Sequence, residues 1–307
     1  MVNRCFDQTL DKPITVGIWW RSLRTYAFVA TIIPLVCAAL IGARVDGLQI
    51  DLFATGVMLL SALLLHAGTN VLNDYFDFTM GFDTAVSAGS SGLLVNGKAS
   101  PAFFRISGII YLTTAVLFGL ILIWRRGLTM TLLGVIGLLG AIFYSHRYGY
   151  KYRGFGEIAV FILMGPILYC AAYLAATATL PWRSLLLSLP YACFVAAIML
   201  VNNIRDYEID RITGMRTLPH LIGVRKAKVL FTILMVTPYV LNLIFQYCKL
   251  WLRLTLITLL SLTANIPLVF RVFKSEATDS GMSHTPQKTA LNYMLFGVLL
   301  IFGLVFS

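Results

Sequence analysis

Two short stretches of this chain concentrate side chains whose oxygens could hold a metal ion. The chain has only 13 Asp and Glu residues, and six of them fall in these stretches: Asp74, Asp77, Asp83, Asp206, Glu208 and Asp210. Carboxylate and carboxamide oxygens are hard ligands that suit Mg²⁺, and Mg²⁺ usually binds a few carboxylates together with phosphate oxygens and water. The residue types therefore predict a site for Mg²⁺ and a phosphate-bearing molecule.

The spacing within each stretch is helical. One side of a helix would carry four polar residues of the first stretch: Asn70, Asn73, Asp74 and Asp77. One side of a second helix would carry Asn202, Asp206 and Asp210. The pattern N-x-x-x-D-Y occurs in both stretches at an offset of 132 residues, which indicates a parallel internal repeat. We expect the two polar faces to converge. The alternative is that acids at helix ends mark the water interface and pair with nearby Arg residues.

The elements that must position these residues are membrane helices. With 307 residues, 59% of them hydrophobic and 12% charged, and a mean hydropathy of +0.83, the chain is too apolar for a soluble globular protein. Runs long enough to cross ~30 Å of hydrocarbon recur, and the alternating pattern of a membrane barrel is absent. We predict an all-α protein, a single integral-membrane domain over 1–307, with nine transmembrane helices at 25–43, 52–72, 103–124, 128–145, 156–177, 184–204, 227–247, 251–270 and 290–306.

The distribution of Lys and Arg predicts how these helices are oriented. With the N-terminus on the cytoplasmic side, 18 of the 24 basic residues lie on that side, as the positive-inside rule expects. Both polar stretches then lie at cytoplasmic helix ends. A basic surface beside anionic lipid headgroups explains the net charge of +11 without any nucleic acid. The five cysteines show no spacing typical of zinc or redox sites.

A basic and aromatic stretch, AIFYSHRYGYKYRGFGE at 141–157, lies between the two polar stretches on the same predicted side. Its cations could hold a diphosphate, because Arg offers a planar fork of donors and Lys a point charge. Lys151 is the favoured diphosphate ligand and Arg147 the second choice. For His146 and Arg153 we favour a positively charged loop beside an aromatic belt at the membrane surface.

On these residues the chain resembles the UbiA superfamily of intramembrane aromatic prenyltransferases. The resemblance covers nearly the whole chain and rests on nine helices and two Asp-rich motifs, NVLNDYFD at 70–77 and DYEID at 206–210. Within the superfamily it is most similar to the menaquinone branch, the MenA-type 1,4-dihydroxy-2-naphthoate polyprenyltransferases. The stretches that carry this finer similarity are NDYFDFTMGFD, SGLLVNGKAS, YRGFGEIAVFILMGP, NNIRDYEIDRITGMRTLPHLIG and PQKTA.

The resemblance implies Mg²⁺-dependent transfer of a polyprenyl group from polyprenyl diphosphate to an aromatic acceptor, with the isoprenoid tail in an apolar tunnel open to the bilayer. In the menaquinone branch the acceptor is 1,4-dihydroxy-2-naphthoate and the product leads to demethylmenaquinone. The implied metal ligands are Asn70, Asp74, Asp77, Asp206 and Asp210, with catalytic roles for Asp74, Asp206 and Asp210. The implied diphosphate ligands are Lys151, Arg147 and Arg205. The implied substrate-orienting residues are Asn73, Asn202, Asn203, Asp83 and Tyr144.

One departure from the superfamily concerns the central loop. Superfamily members often carry Tyr and Lys four residues apart there, whereas here Tyr144 is followed at that distance by Tyr148, and Lys151 comes seven residues later. This departure leaves open whether Lys151 or Arg147 contacts the diphosphate.

Other functions remain to be weighed against this prediction. The acceptor could instead be 4-hydroxybenzoate, homogentisate or a similar aromatic. A helical-bundle transporter would need ionisable residues at mid-span depth, whereas these acids lie at helix ends. A scaffolding protein would not need two matched motifs. We therefore predict an enzyme of a bacterial or archaeal cell membrane, with its N-terminus and active-site loops on the cytoplasmic side.

Overall fold

The computed structural model describes residues 14–84, 89–146, 148–275 and 282–307. Helices and connecting loops make up these residues, which confirms the predicted fold class. The α-helices are α1 (Val16–Ser22), α2 (Val29–Arg44), α3 (Leu52–Thr79), α4 (Pro101–Tyr144), α5 (Gly156–Ile162), α6 (Leu168–Thr177), α7 (Arg183–Leu187), α8 (Leu189–Arg205), α9 (Tyr207–Thr213), α10 (Leu218–Ile222), α11 (Val224–Tyr247), α12 (Leu262–Lys274) and α13 (Thr285–Phe306).

Short turns of other helix types extend several of these elements. A 3₁₀ turn at Thr25–Phe28 leads into α2, a π-helical turn at Leu163–Ile167 joins α5 to α6, and a 3₁₀ helix at Arg253–Ser261 leads into α12. With these joins, eight segments of the described residues are long and apolar enough to cross a membrane.

One of the eight segments, α4, is long enough to cross a membrane twice. Its 44 residues are about twice the ~20 that one crossing needs. Gly127 interrupts it with φ 67° and ψ −151°, a conformation that only glycine adopts readily. Ser61 Oγ of α3 donates to the Ala115 carbonyl at 2.9 Å, whereas Ser145, at the far end of α4, donates to Asn73 Oδ1 at 2.8 Å. The chain therefore reverses at Gly127, and the two arms of α4, 101–126 and 128–144, lie where the third and fourth spans are predicted.

The helix that carries the first polar stretch is longer than the hydropathy pattern predicts. We expected a span at 52–72, but α3 continues to Thr79. Hydropathy falls where the polar side chains begin, whereas the backbone hydrogen bonds of the helix continue through them. The stretch is thus held rigidly at helical spacing. We call the end of the bundle formed by 70–79 of α3 and the α8–α9 junction the motif end.

Small residues let α4 pack closely against this part of α3. A Cβ built on Gly68 would lie 2.8 Å from Leu112 Cδ2, and one built on Gly108 would lie 2.6 Å from Leu72 Cγ. A Cβ at either position would push a leucine side chain of the facing helix aside. Close approach between small residues is a common way to pack helices in membranes. These contacts, at Gly68 and Leu72, fix the position of the start of the first polar stretch.

Ion pairs brace the opposite end of the bundle. Asp51 caps the start of α3 by accepting from Ala54 N–H at 2.9 Å, and it pairs with both Arg125 and Arg126 at 2.7 Å. The Ala54 N–H and the Arg125 guanidinium hold the pKa of Asp51 below its usual range. These contacts tie the start of α3 to the reversal in α4.

Candidate functional site

The first acid of the site, Asp74, is buried between a basic side chain and a loop. Its Oδ1 forms an ion pair with Arg24, and its Oδ2 accepts from the Ser91 backbone N–H at 3.0 Å. Arg24 lies between α1 and the 3₁₀ turn, with left-handed backbone angles of φ 52° and ψ 50°. The side chains of Asp74 and Arg24 are only 2% and 12% exposed, so this ion pair is shielded from water.

The second acid, Asp77, is the centre of a polar network. Lys151 Nζ lies 2.6 Å from Asp77 Oδ2 and also donates to Asn73 Oδ1 at 2.7 Å. The Tyr152 hydroxyl donates to Asp77 Oδ1 at 2.7 Å, and Asn73 Nδ2 donates to Oδ2 at 3.0 Å. Burial and the Asp77 carboxylate raise the pKa of Tyr152, which remains a hydrogen-bond donor. The central loop is thereby fastened to the first polar stretch.

The second polar stretch lies at a break between α8 and α9. Asp206 occupies the junction, with ψ near 5°, and Arg205 pairs with both of its carboxylate oxygens at 2.7 and 2.6 Å. The Asp206 N–H still bonds the Asn202 carbonyl at 2.9 Å, and the Asp210 N–H bonds the Asp206 carbonyl at 2.8 Å. The stretch is not one continuous helix as predicted, but the local hydrogen bonding keeps its three polar residues at helical spacing.

The two stretches are close enough to influence each other. Burial, and then the negative charges of Asp206 and Asp77, raise the pKa of Asp210 to about 7, whereas the charge of Lys151 opposes that shift. A backbone segment also joins the two sides, since Ser91 N–H bonds Asp74 and a Cβ built on Gly89 would lie 3.6 Å from Asp206 Oδ2. Acids from both stretches therefore face one region at the motif end.

The segment after the second stretch closes over the central loop. His220 stacks on Tyr207 with ring centroids 4.3 Å apart, and its Nδ1 lies 2.8 Å from Thr217 Oγ1. A backbone bridge joins Arg153 to Arg216. These contacts position α9, and hence Asp210, against the loop that carries Lys151.

The side chains of the other predicted site residues that the structure describes lie outside the ion pairs and hydrogen bonds given above. Asn70 Nδ2 donates to the Leu23 carbonyl at 3.2 Å, and Asn202 Nδ2 donates to the Ile198 carbonyl of its own helix at 2.8 Å. The Tyr144 hydroxyl contacts Met199 Sδ at 3.7 Å. Burial, and then Asp77 and Asp74, raise the pKa of Asp83 to about 6, which places it beside the first stretch. Arg147 lies outside the described residues.

Sequence reasoning missed several participants. The sequence pattern predicts Arg24 only as a basic residue of the cytoplasmic side and predicts no role for Ser91, Ser145, Tyr152 or Glu157. Their roles depend on contacts between segments far apart in the chain, as for Arg24 and Asp74, which are 50 residues apart. The sequence feature that could have pointed to Arg24 is its position immediately before the first predicted span.

The donor atoms at the motif end suit a hard cation such as Mg²⁺, because they are carboxylate and carboxamide oxygens. Within the described residues, no three acidic, His or Cys side chains are arranged as a ready-made metal site. Three of the acids pair instead with basic side chains: Asp74 with Arg24, Asp77 with Lys151, and Asp206 with Arg205. Binding a cation would require these bases to turn away, and a diphosphate would give them a new partner.

Fold and site together define an integral membrane protein with a cluster of charged and polar side chains at one end of an apolar helical bundle. The sequence model of the UbiA prenyltransferase family matches residues 23–305, so the chain belongs to this family and is a prenyltransferase.

Known proteins agree with this assignment. The chain is 28% identical over 310 residues to a 1,4-dihydroxy-2-naphthoate octaprenyltransferase of Bacillus subtilis (strain 168), covering 99% of this chain and 98% of that protein. It is 29% identical over 293 residues to UbiA prenyltransferase domain-containing protein 1 of Mus musculus, covering 93% and 83%. A UbiA homologue from Archaeoglobus fulgidus, solved with GPP and Mg²⁺, shares the fold at a TM-score of 0.60 and 14% identity, covering 92% of this chain and 99% of that one.

Proposed function

We propose that the protein transfers a polyprenyl group from polyprenyl diphosphate to 1,4-dihydroxy-2-naphthoate in an Mg²⁺-dependent reaction that leads to demethylmenaquinone. The observation that carries this proposal is the meeting of two acidic stretches and the central-loop Lys151 at one end of an apolar bundle. A prenyl donor likewise has one charged end and one apolar part, because its diphosphate is charged and its tail is lipid-soluble.

The diphosphate would bind to the basic side chains that now pair with the acids. Lys151 and Arg24 are mostly buried, with 12% of each side chain exposed, and Arg24 Nε has no hydrogen-bond partner in the described structure. Arg205 presents its guanidinium from the second stretch. Phosphate oxygens would satisfy these donors, because charge-assisted hydrogen bonds to phosphate are among the stronger polar contacts in proteins.

The oxygens proposed to hold the metal belong to Asn70, Asp74, Asp77, Asp206 and Asp210. A bound Mg²⁺ would neutralise the charge that develops on the diphosphate as it leaves. Lys151 and Arg24 would share that task from their positions beside Asp77 and Asp74. The Archaeoglobus fulgidus homologue was solved with GPP and Mg²⁺ bound together, which supports this pairing of metal and prenyl diphosphate.

The reaction balances without an oxidant or reductant. The allylic C–O bond of the donor breaks and its electron pair leaves with the diphosphate. A ring carbon of the electron-rich acceptor forms the new C–C bond. For 1,4-dihydroxy-2-naphthoate the ring carbon loses its carboxyl group as CO₂, and the electron pair of that bond restores the aromatic ring.

The choice of acceptor is supported by the branch similarity of the motifs and by the named activity of the Bacillus subtilis relative. The orientation of the bundle is part of the proposal: we infer that the motif end faces the cytoplasm, where both co-substrates carry charged groups that stay in water.

Membranes containing the protein, incubated with labelled polyprenyl diphosphate and 1,4-dihydroxy-2-naphthoate, test the function directly. We expect a prenylated product that depends on both the acceptor and Mg²⁺ and disappears with EDTA. Product with 4-hydroxybenzoate or homogentisate but not with the naphthoate would reassign the acceptor. An absence of metal-dependent product with every aromatic acid would refute the proposal.

A further inference from the structure

Glu157, in the first turn of α5, is a buried acid that the proposed mechanism does not use. The residue is 3% exposed. Its Oε1 accepts a hydrogen bond from Asn203 Nδ2 at 2.7 Å, whereas its Oε2 is buried without a hydrogen-bond partner among the described residues. No described Lys or Arg pairs with it, unlike Asp74, Asp77 and Asp206. Burying a carboxyl group without a cation is costly, so retaining one here calls for a role beyond packing.

The contact with Glu157 fixes the orientation of Asn203. A carboxamide has one donor end and one acceptor end, and a carboxylate oxygen prefers the donor end. With Nδ2 turned toward Glu157, Oδ1 points the other way, and no described residue donates to it. Asn203 is half-buried and lies three residues before Asp206. A hydrogen-bond acceptor therefore stands free beside the second polar stretch.

Asn203 is turned away from the proposed metal ligands. On α8 it is one position, about 100°, from the side shared by Asn202 and Asp206. Its oxygen, beside the Glu157 carboxyl group, would repel the oxygens of a diphosphate. A hydroxyl group is the complementary ligand for this position, because it donates a hydrogen bond and carries no charge.

The surface next to this pair is apolar and aromatic. A Cβ built on Gly156 would lie 2.4 Å from Met199 Cε, and Met199 Sδ contacts the Tyr144 hydroxyl at 3.7 Å. The Lys151 ammonium lies 5.8 Å from the centre of the Tyr144 ring. Met199 lies four residues, about one turn of α8, before Asn203, so both residues are on one side of that helix. A planar ring lying against Met199 and Tyr144 would therefore be on the side of α8 that carries Asn203, with the diphosphate-binding cation close by.

We propose that Glu157 is a positioning residue: it holds Asn203 so that Oδ1 accepts a hydrogen bond from a hydroxyl group of the aromatic co-substrate. This inference rests on the proposed function and names the contact that selects a hydroxylated ring. Lys151 and Arg24 would then bind the prenyl donor, and the Glu157–Asn203 pair would bind the aromatic co-substrate.

Direct binding of 1,4-dihydroxy-2-naphthoate to the purified full-length protein in detergent, measured beside the KM of each substrate, tests the assignment. We expect Glu157→Ala and Asn203→Ala each to weaken naphthoate binding and raise its KM by about tenfold, the loss expected for one hydrogen bond. The donor KM and the Mg²⁺ requirement should stay within about threefold of wild type. Glu157→Gln keeps an acceptor oxygen for Asn203 and should restore binding.

A double-mutant comparison separates positioning from a structural role. If Glu157 acts through Asn203, the double Ala variant should bind the naphthoate no more weakly than Asn203→Ala alone, because coupled residues are not additive. Should Glu157→Ala fail to fold, Asn203→Asp replaces it: that variant keeps the size and the oxygens but lacks the N–H donor, and it should also lose naphthoate binding.

Several results would overturn the inference. The positioning role would be refuted if the losses of naphthoate binding in the two single variants added up in the double variant. A changed KM for the prenyl donor, or unchanged naphthoate binding in an active Glu157→Ala protein, would refute it as well. None of these results would affect the proposed function. A wild-type protein that neither binds nor prenylates any hydroxylated aromatic acid would refute both.

Discussion

Lys151 Nζ lies 2.6 Å from Asp77 Oδ2 and so occupies the position where a cation would neutralise the first acidic stretch. The contact joins the central loop to α3. Two ion pairs of the same kind join Arg24 to Asp74 and Arg205 to Asp206. In the structure these bases therefore satisfy the acids. We propose that on binding of metal and prenyl donor the acids would hold the metal and the bases would hold the diphosphate.

This exchange predicts opposite effects for Lys151→Ala on its two ligands. The donor KM should rise about 10- to 150-fold, because one charged hydrogen bond of roughly 1.5 to 3 kcal/mol is lost. Mg²⁺ alone should bind more tightly, because the ammonium group no longer competes for Asp77. Steady-state kinetics and the Mg²⁺-induced rise in unfolding temperature measure the two effects. Lys98→Ala, an exposed lysine in the loop before α4, is the matched control and should change neither. An unchanged donor KM would make Lys151 part of an ordinary basic loop.

The acids of both stretches should be indispensable for turnover. We expect Asp74→Asn and Asp206→Asn each to lower kcat by at least about 100-fold, because each removes a charge that would face the metal. Both proteins should still insert into membranes, since the substitutions leave the apolar spans intact. Glu208→Gln changes a half-exposed acid of the second stretch, which pairs with Arg211, and serves as the control. Near-normal activity in both Asp variants would remove these carboxylates from the metal site.

The proposed orientation predicts the reactivity of native cysteines. Cys248, at the end of α11 remote from the motif end, is exposed, whereas Cys37, Cys170 and Cys193 are buried. In a Cys5→Ser background, a membrane-impermeant maleimide added to intact cells should therefore label the protein at Cys248. Labelling that appears only after the cells are opened would place the motif end outside.

Gly127 should be required for the reversal within α4. Gly127→Ala forces a side chain into a conformation with φ 67° and ψ −151°, at a cost on the order of 1 to 3 kcal/mol, although nothing lies within 4 Å of the added Cβ. Gly134→Ala is a matched control, because its Cβ also meets nothing within 4 Å and its backbone is helical. We expect only the first variant to unfold at a lower temperature. Equal stability of the two would show that the turn at Gly127 relaxes without cost.

Local patterns in the sequence predicted most of the fold. Hydropathy located the spans to within a few residues because the bilayer sets the length of a helix. It failed at the end of α3, where backbone hydrogen bonding continues through polar side chains to Thr79. It also could not show that spans three and four form one helical segment turned at a single glycine.

The candidate site was predictable where spacing alone sets geometry. Helical periodicity grouped Asn73, Asp74 and Asp77, which the structure keeps on α3. The partners of these acids could not be predicted, because Arg24 and Tyr152 reach them through the packing of separate segments. Glu157 was missed for the same reason, since its significance appears only when Asn203 is beside it.

The order in which the chain is synthesised gives the ion pair of Arg24 and Asp74 a further consequence. The ribosome makes Arg24 fifty residues before Asp74, and Arg205 immediately before Asp206, so the basic partner already exists when each of these acids is made. Asp77 is the exception, because Lys151 follows it by 74 residues. Asp77 therefore gains its cation only after the chain has reversed at Gly127 and the central loop has been made.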